Sequence, residues 1–300
     1  MPTLRDIKRR IASVKSTQQI TRAMKLVAAA RLRRAQERIV EARPYCRSMA
    51  SVVSDLARRA PRELHPLLRE RGEDADPLTP TRKLILVISG DRGLCGAFNS
   101  NIIRRSLELV RAGEGDQDVS LALIVVGRKV RDFYRRRGQV TVRSEYVNFF
   151  DKLAYAHAAQ IGQEVAAAFA GSEVDEVQLV YNEFRSAASQ RVVTETLLPI
   201  PSAAGSEDAS GVEFLFEPSP AAVLEALLPR HVEVQVYRAL MESLAAEYGA
   251  RMTSMDNATK NASEMIDLLT IQFNKARQER ITRELLEIVG GAEALRQARD

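Results

Sequence analysis

Cysteine is almost absent: Cys46 and Cys95 are the only two in 300 residues. Two cysteines cannot frame a disulfide scaffold, so the chain reads as one from a reducing compartment. With them stand only three scattered histidines, and no zinc-site spacing results. Tryptophan is missing and aromatics make up 5% of the chain, too few for stacking on exposed bases. No uncharged apolar run approaches the roughly 18 residues that span a bilayer. The best stretch, VSLALIVVG at 119–127, reads as a buried strand. The start, MPTLRDIKRR, has no apolar core behind its charges, so no signal peptide is expected. No GxxxxGK[ST] occurs, which excludes a phosphate-binding P-loop.

What remains is globular. Apolar content of 45% and charged content of 28% fit a folded chain of about two domains. The charge is unevenly spread. Residues 1–59 carry 15 Lys/Arg against 4 Asp/Glu, while the whole chain nets +5, so a basic arm precedes a mildly acidic body. Such an arm suits nucleic acid, anionic lipid or an acidic protein surface, or is a solvated helix face.

Residues 1–59 contain no glycine. Leu4, Ile7, Ile11 and Val14, then Ala28, Leu32, Ala35, Ile39 and Ala42, follow the 3-4 spacing of a coiled-coil seam. Gln18, Thr21 and Lys25 make its middle polar, and Pro44 should kink or break the helix near Arg43. Residues 60–81, with four prolines, read as a linker. In 82–200, strands at 83–89, 121–127, 176–184 and 190–198 alternate with helices at 98–111, 129–137 and 152–170, the pattern of an α/β layer domain. Residues 201–218 hold a small-residue loop and a short strand at 212–218. A helix then opens near Ser219, and a longer one starts at Pro229. Along it Met241, Tyr248, Met255, Ala262, Leu269 and Ala276 repeat every seven residues, and Leu244, Met252, Met265 and Phe273 fill the stripe. Gly290–Gly291 should end it. Neither terminal helix, 1–59 nor 219–300, can bury its stripe alone. The expected architecture is therefore a long antiparallel coiled coil with a small Rossmann-like α/β domain inserted.

No catalytic constellation emerges. Gly90, Gly93 and Gly96 follow a strand and precede a helix, but their spacing is not GxGxxG, and a tight turn is favoured over a phosphate cradle. Cys95 has no partner His–Asp pair in the sequence and reads as a small buried residue. The methionines of the C-terminal stripe read as packing. No catalytic, cofactor-binding or metal-ligating residue is expected.

Three stretches carry a family resemblance. QQITRAMKLVAAARLRRAQ (18–36), SGDRGLCGAFNSN (89–101) and ITRELLEIVGGAEA (281–294) resemble, in order and spacing, the signatures of the gamma subunit of the F-type ATP synthase. The resemblance covers essentially the full chain. It implies a rotor shaft and no catalyst. The terminal helices would turn inside a hexamer of alpha and beta subunits, with ATP chemistry on beta. The foot would sit on the epsilon subunit and the membrane c-ring, peripheral to the cytoplasmic face of a bacterial inner membrane. Nucleotide and nucleic acid would not be bound directly. Residue by residue, Met24 and Lys25, together with Arg277, Gln278 and Thr282, match positions that contact the hexamer. Phe214, Phe216 and Glu217 match the foot. Arg277 suits its role because a guanidinium fork holds a carboxylate bidentately. The run Ala28–Ala30 offers a smooth bearing surface. Many members have Glu where this chain has Lys25, tyrosines where it has Phe214 and Phe216, and Asp-Pro where it has Ser219-Pro220. Two other readings are a nucleic-acid-binding coiled coil and an α/β nucleotide enzyme using the loop at 90–96. Both leave the C-terminal motif unexplained.

Overall fold

The computed structural model describes residues 3–59, 65–69, 80–115, 118–138, 140–200 and 219–297. In chain order these form α1 (Leu4–Arg59), β1 (Thr81–Ile88), α2 (Phe98–Glu114), β2 (Val119–Val126), α3 (Arg128–Arg137), β3 (Thr141–Tyr146), α4 (Tyr155–Ala170), β4 (Glu176–Phe184), β5 (Gln190–Leu198) and α5 (Pro220–Gln297). Two compact units result, and both long helices contribute to each. One comprises 1–27 and 253–300, the other 28–252. The strand expected at 212–218 and the loop before it lie outside the described residues.

In the larger unit, five strands run in the order β3-β2-β1-β4-β5. Strands β1 to β4 are parallel and β5 is antiparallel to β4. The continuous apolar run of β1 has a simple cause: both its faces are covered. Leu84, Leu86 and Ile88 point into the core shared with α4 and parts of α1 and α5, while Ile85 and Val87 pack with Ile102 of α2 and Val130 and Tyr134 of α3. The sequence reading missed β3. A register shift splits its half-buried side chains, with Val142 packed on the α2–α3 side and Tyr146 on the other, and with Ser144 among them the set is too polar and irregular to stand out. Inside the expected linker, Pro66–Leu68 form a 3-10 turn that buries Leu67 and Leu68, and the Ile200 N–H donates to the Leu67 carbonyl at 3.1 Å.

Three expected helix breaks are overturned. Helix α1 runs unbroken through Pro44. The carbonyl orphaned by the proline belongs to Val40, an exposed residue, so water can take the lost bond. Buried Ala35, Met49 and Val53 hold the helix on either side. Helix α5 likewise absorbs Pro229, flanked by fully buried Leu224, Leu228 and Val232. It also continues past Gly290 and Gly291 to Gln297. Neither glycine takes a left-handed turn, and no neighbour crowds either one.

Helix α4 packs tightly on α5 at Gly162. A Cβ there would stand 2.9 Å from the Glu233 Cα. The carboxylate of Glu233, itself buried, accepts from Tyr155 Oη at 2.7 Å and Gln163 Nε2 at 3.0 Å. Gly162→Val therefore overpacks a backbone contact, at a cost of about 1–3 kcal/mol. The circular-dichroism melting midpoint should fall by several degrees. Gly138→Asn, at a left-handed cap with open space around it, should leave the midpoint nearly unchanged.

Candidate functional site

The smaller unit is a pair of helix segments, and its seam is polar where the sequence is. Thr21, buried, meets Thr259 across the seam at 2.8 Å. Each hydroxyl also lies within bonding distance of a carbonyl of its own helix, Gln18 and Met255. Two hydroxyl protons serve these three contacts, so one threonine donates across the seam while the other donates to its own backbone. Four residues on, Lys25 Nζ donates to Asp256 Oδ1 at 2.6 Å, and Lys260 flanks the same carboxylate. Hydrogen bonds from Lys25 and Lys260 hold the Asp256 carboxyl below its ordinary pKa. Ile7, Met255 and Ala262 supply the apolar contacts. The seam on α5 runs 255, 259, 262, 266, 269, 273, so Met265 falls off it and is 51% exposed, against expectation.

The pairing 21 with 259 and 25 with 256 is antiparallel, and the register extends to Leu4 opposite Ala276. Beyond that point α5 has no helical partner in α1. Its apolar residues there are uncovered: Ile281, Leu285, Leu286, Ile288 and Val289 are all exposed. Four of the five hexamer-contact residues expected from the sequence fall into distinguishable settings. Met24 is half-buried beside the polar seam. Arg277, Gln278 and Thr282 are exposed on the unpaired stretch. The register separates that stretch from Met24 by some 20 residues of helix, about 30 Å. The fifth, Lys25, is committed to Asp256. Its charge therefore adds less to a basic belt than the sequence suggested. The expected smooth alanine run is corrected too, because Ala28 is buried in the larger unit and only Ala30 is exposed. Phe214, Phe216 and Glu217 lie outside the described residues.

In the larger unit the glycine-rich loop after β1 sits at the carboxyl end of the sheet. There β1 is flanked by strands reached in opposite directions, the usual place for a nucleotide in such a fold. Each polar residue of the loop is spent on structure. Ser89 Oγ accepts the Val130 N–H at 3.1 Å. Asp91 accepts the N–H groups of Arg128 and Asn148, both at 3.0 Å, fixing the start of α3 to the end of β3. Arg92 pairs with Asp151 at 2.6 Å, as Arg31 does at 2.9 Å. Asn99 accepts the Gly90 N–H at 2.9 Å and donates to the Arg92 carbonyl at 3.1 Å.

Helix α5 closes over the first glycine of the crevice and leaves beside it a cleft of about 180 Å³, lined by Asp91, Arg92, Arg128, Asp151, Glu247 and Arg251. A Cβ on Gly90 would stand 2.9 Å from the Glu247 carboxyl carbon, and one on Gly249 would stand 3.2 Å from the Ala187 carbonyl oxygen. Cys95, Phe98 and Ala246 form a small apolar cluster with Phe184 and Ala250. Burial pushes the Cys95 thiol up, the opposite of an activated nucleophile. Glu247 and Arg251, one turn apart and both buried, form an ion pair, and Arg251 also donates to the Gly93 carbonyl at 3.3 Å. Burial raises the Glu247 pKa and Arg251 opposes the rise. A carboxylate of the chain's own helix thus lies over the first glycine, where a phosphate would otherwise approach. Among the described residues no helix is long and apolar enough to cross a membrane.

Comparisons with known proteins agree on one family. The family described as ATP synthase matches residues 3–295. A protein of Pelotomaculum thermopropionicum called ATP synthase gamma chain is 48% identical over 295 residues, covering 98% of this chain and all of that one. The ATP synthase gamma chain of Heliobacterium modesticaldum is 49% identical, with the same coverage. Among solved structures, a chain from the central stalk and c-ring of Tetrahymena thermophila mitochondrial ATP synthase aligns at TM-score 0.59 and 26% identity, covering 80% of this chain and 99% of that one. A chain from Euglena gracilis mitochondrial ATP synthase shares the fold at TM-score 0.68 and 22% identity, covering 99% of this chain and 96% of that one.

The Glu247–Arg251 pair is testable by pH. Arg251→Met leaves a buried carboxylate without its cation and should cost about 3–5 kcal/mol at neutral pH. The folded Glu247 pKa already lies above the 4.5 of the unfolded chain and rises further in the variant. The folded state then binds the proton that the unfolded state has released, so stability falls as pH rises through the folded value. Urea midpoints should show the deficit shrinking between about pH 8 and about pH 5.5. A deficit equal at both pH values would show that uncompensated charge is not its cause.

Proposed function

The chain belongs to the ATP synthase gamma-chain family, and on that premise we propose that it is the central rotor shaft of a proton-translocating F-type ATP synthase. It is a subunit of a catalytic complex, with ATP chemistry on the surrounding beta subunits. Proton flow turns a membrane c-ring, the shaft turns with it, and its asymmetric surface drives the three catalytic sites through successive affinities. Its partners are the alpha and beta subunits, epsilon and the c-ring, on the cytoplasmic face of a bacterial inner membrane.

The observation that carries this reading is the unpaired end of α5. A helix that displays Ile281, Leu285, Leu286, Ile288 and Val289 to solvent is built to be surrounded. A ring of subunits supplies such a sleeve. Apolar contact there is non-directional and yields to rotation. Lower down, Thr21–Thr259 and Lys25–Asp256 keep the two helices in register without drawing on outside partners. Met24 and, on the unpaired stretch, Arg277, Gln278 and Thr282 are the proposed contacts with beta. Arg277 offers its fork to an acidic loop. Phe214, Phe216 and Glu217 are the proposed foot.

Affinity isolation from host membranes through a tag at 204–211 should recover alpha, beta and epsilon with ATPase activity. Gln278→Cys, oxidised onto an engineered cysteine of beta, should stop that ATPase, and a reductant should restore it. Recovery of a lone chain, or activity untouched by the disulfide, would overturn the rotor reading. The exposed cations Arg22, Arg33 and Arg34 face outward along the same stretch of α1. Neutralising all three to Gln should lower turnover several-fold at low salt and less at high salt, where long-range attraction is screened. Unchanged turnover would remove electrostatics from the bearing.

A further inference from the structure

Helix α3 carries a charge pattern that its fold does not require. Of its ten residues, Arg128, Lys129, Arg131, Arg135, Arg136 and Arg137 are basic and only Asp132 is acidic. The helix is held by its other face, where Val130 and Tyr134 are buried and the Tyr134 hydroxyl bonds Ser106 at 2.8 Å. Three of the cations have local work. Arg131 pairs with Asp132 at 2.7 Å, Arg135 with Glu145 at 2.8 Å, and Arg137 lies 4.8 Å over the Phe133 ring. Arg128, Lys129 and Arg136 are exposed, and among the described residues none has an acidic side chain within salt-bridge distance. Arg128 and Lys129 moreover occupy the first turn, where the helix dipole disfavours cations. Like charges at 131 and 135 repel within the helix as well. The unfavourable placement, on a body that is otherwise acidic, points outward.

We propose that the exposed face of α3 is an electrostatic docking surface for anionic lipid headgroups at the membrane. The identification of the bilayer rests on the rotor reading above, since a shaft seated on a membrane ring has headgroups within reach. The face itself favours lipid over other polyanions. It carries no exposed large apolar side chain of the kind that anchors a protein interface. It also offers no aromatic platform for unpaired bases, and its ten residues make a patch only about 15 Å long. Attraction to headgroups is diffuse and the same in every direction along the bilayer. It therefore holds a rotating body close without marking preferred angles.

The test is co-sedimentation of the full chain with vesicles of phosphatidylcholine alone or with about one third phosphatidylglycerol. Comparison of the two compositions separates charge from the apolar end of α5, which partitions equally into both. Binding to anionic vesicles should exceed binding to neutral ones and weaken steeply between about 50 and 500 mM salt. Lys129→Gln with Arg136→Gln should reduce anionic binding by roughly 25-fold, about 5-fold per charge. Arg33→Gln with Arg34→Gln, on α1, should reduce it far less. Both double variants alter exposed side chains, and unchanged circular-dichroism melting confirms their fold. Equal binding to the two vesicles, or equal losses from the two double variants, overturns the proposal. So does displacement by inorganic phosphate at constant ionic strength, which would mean a discrete anion site, or a preference for duplex DNA over vesicles. The assay reads the patch on the isolated chain, whereas co-isolation with alpha and beta reads the rotor, so each can fail without the other.

Discussion

The apolar stripe of α5 is the constraint on which the rest depends. A single helix in water cannot cover such a stripe, and each stretch of α5 finds a different cover. Within the larger unit Met241, Leu244 and Tyr248 join a core shared with α1, α4 and the sheet. Within the smaller unit the cover is α1 alone, through Ile7, Thr21 and their partners. From about Ala276 onward the described residues provide no cover. The same period of residues thus encodes core, helix pair and open surface in succession.

Helix α5 also stands over the first glycine of a fold that looks made for a nucleotide. Sheet order, the strand-to-helix glycine turn and the start of α3 all stand where a phosphate site would be. Yet the loop's polar groups serve the sheet and α3, and Glu247 of α5 takes the space over the first glycine, leaving only a cleft of about 180 Å³ beside it. Gly90 is small because a carboxyl group of the chain itself comes within van der Waals contact. The signature SGDRGLCG therefore describes how a helix is seated on a sheet. Burying an ion pair there brings little net stability, since desolvation offsets most of the attraction. What it brings is position, because neither partner can move without stranding the other.

Much of this was legible in the sequence, for identifiable reasons. The strands β1 and β2 follow from continuous apolar runs covered on both faces, β4 and β5 from shorter apolar runs, and the two long helices from 3-4 spacing, all imposed by burial itself. The polar middle of the seam was visible as Gln18, Thr21 and Lys25, but Asp256 as the partner of Lys25 was not. That pairing depends on register between residues more than 200 positions apart. Strand β3 was missed because its inward residues include Ser144. The Met265 assignment failed because a spacing of three from Ala262 fits a helix yet not this seam, which steps by four to Ile266. The closing of the crevice could not be read from the loop, because it is made by residues of α5. The family resemblance, which the comparisons bear out, turned attention to contact surfaces, although the foot residues fall outside the described structure.

The misplaced helix breaks point to a further regularity. Pro44, Pro229 and Gly249 all fall between 28 and 252, where α1 and α5 pack into a core that holds the backbone whatever one residue does. In the smaller unit, the helical stretches 4–27 and 253–289 contain neither proline nor glycine. There two helices support only each other, and a single missing N–H or a glycine's freedom would become a bend. Gly290 and Gly291 follow beyond the pair, in the stretch of α5 that α1 does not reach. Within the stretches where α1 and α5 run together, residues that weaken a helix thus occur only where a core supports both. That is what stiffness under load demands of an unsupported pair, and static packing alone would not require it.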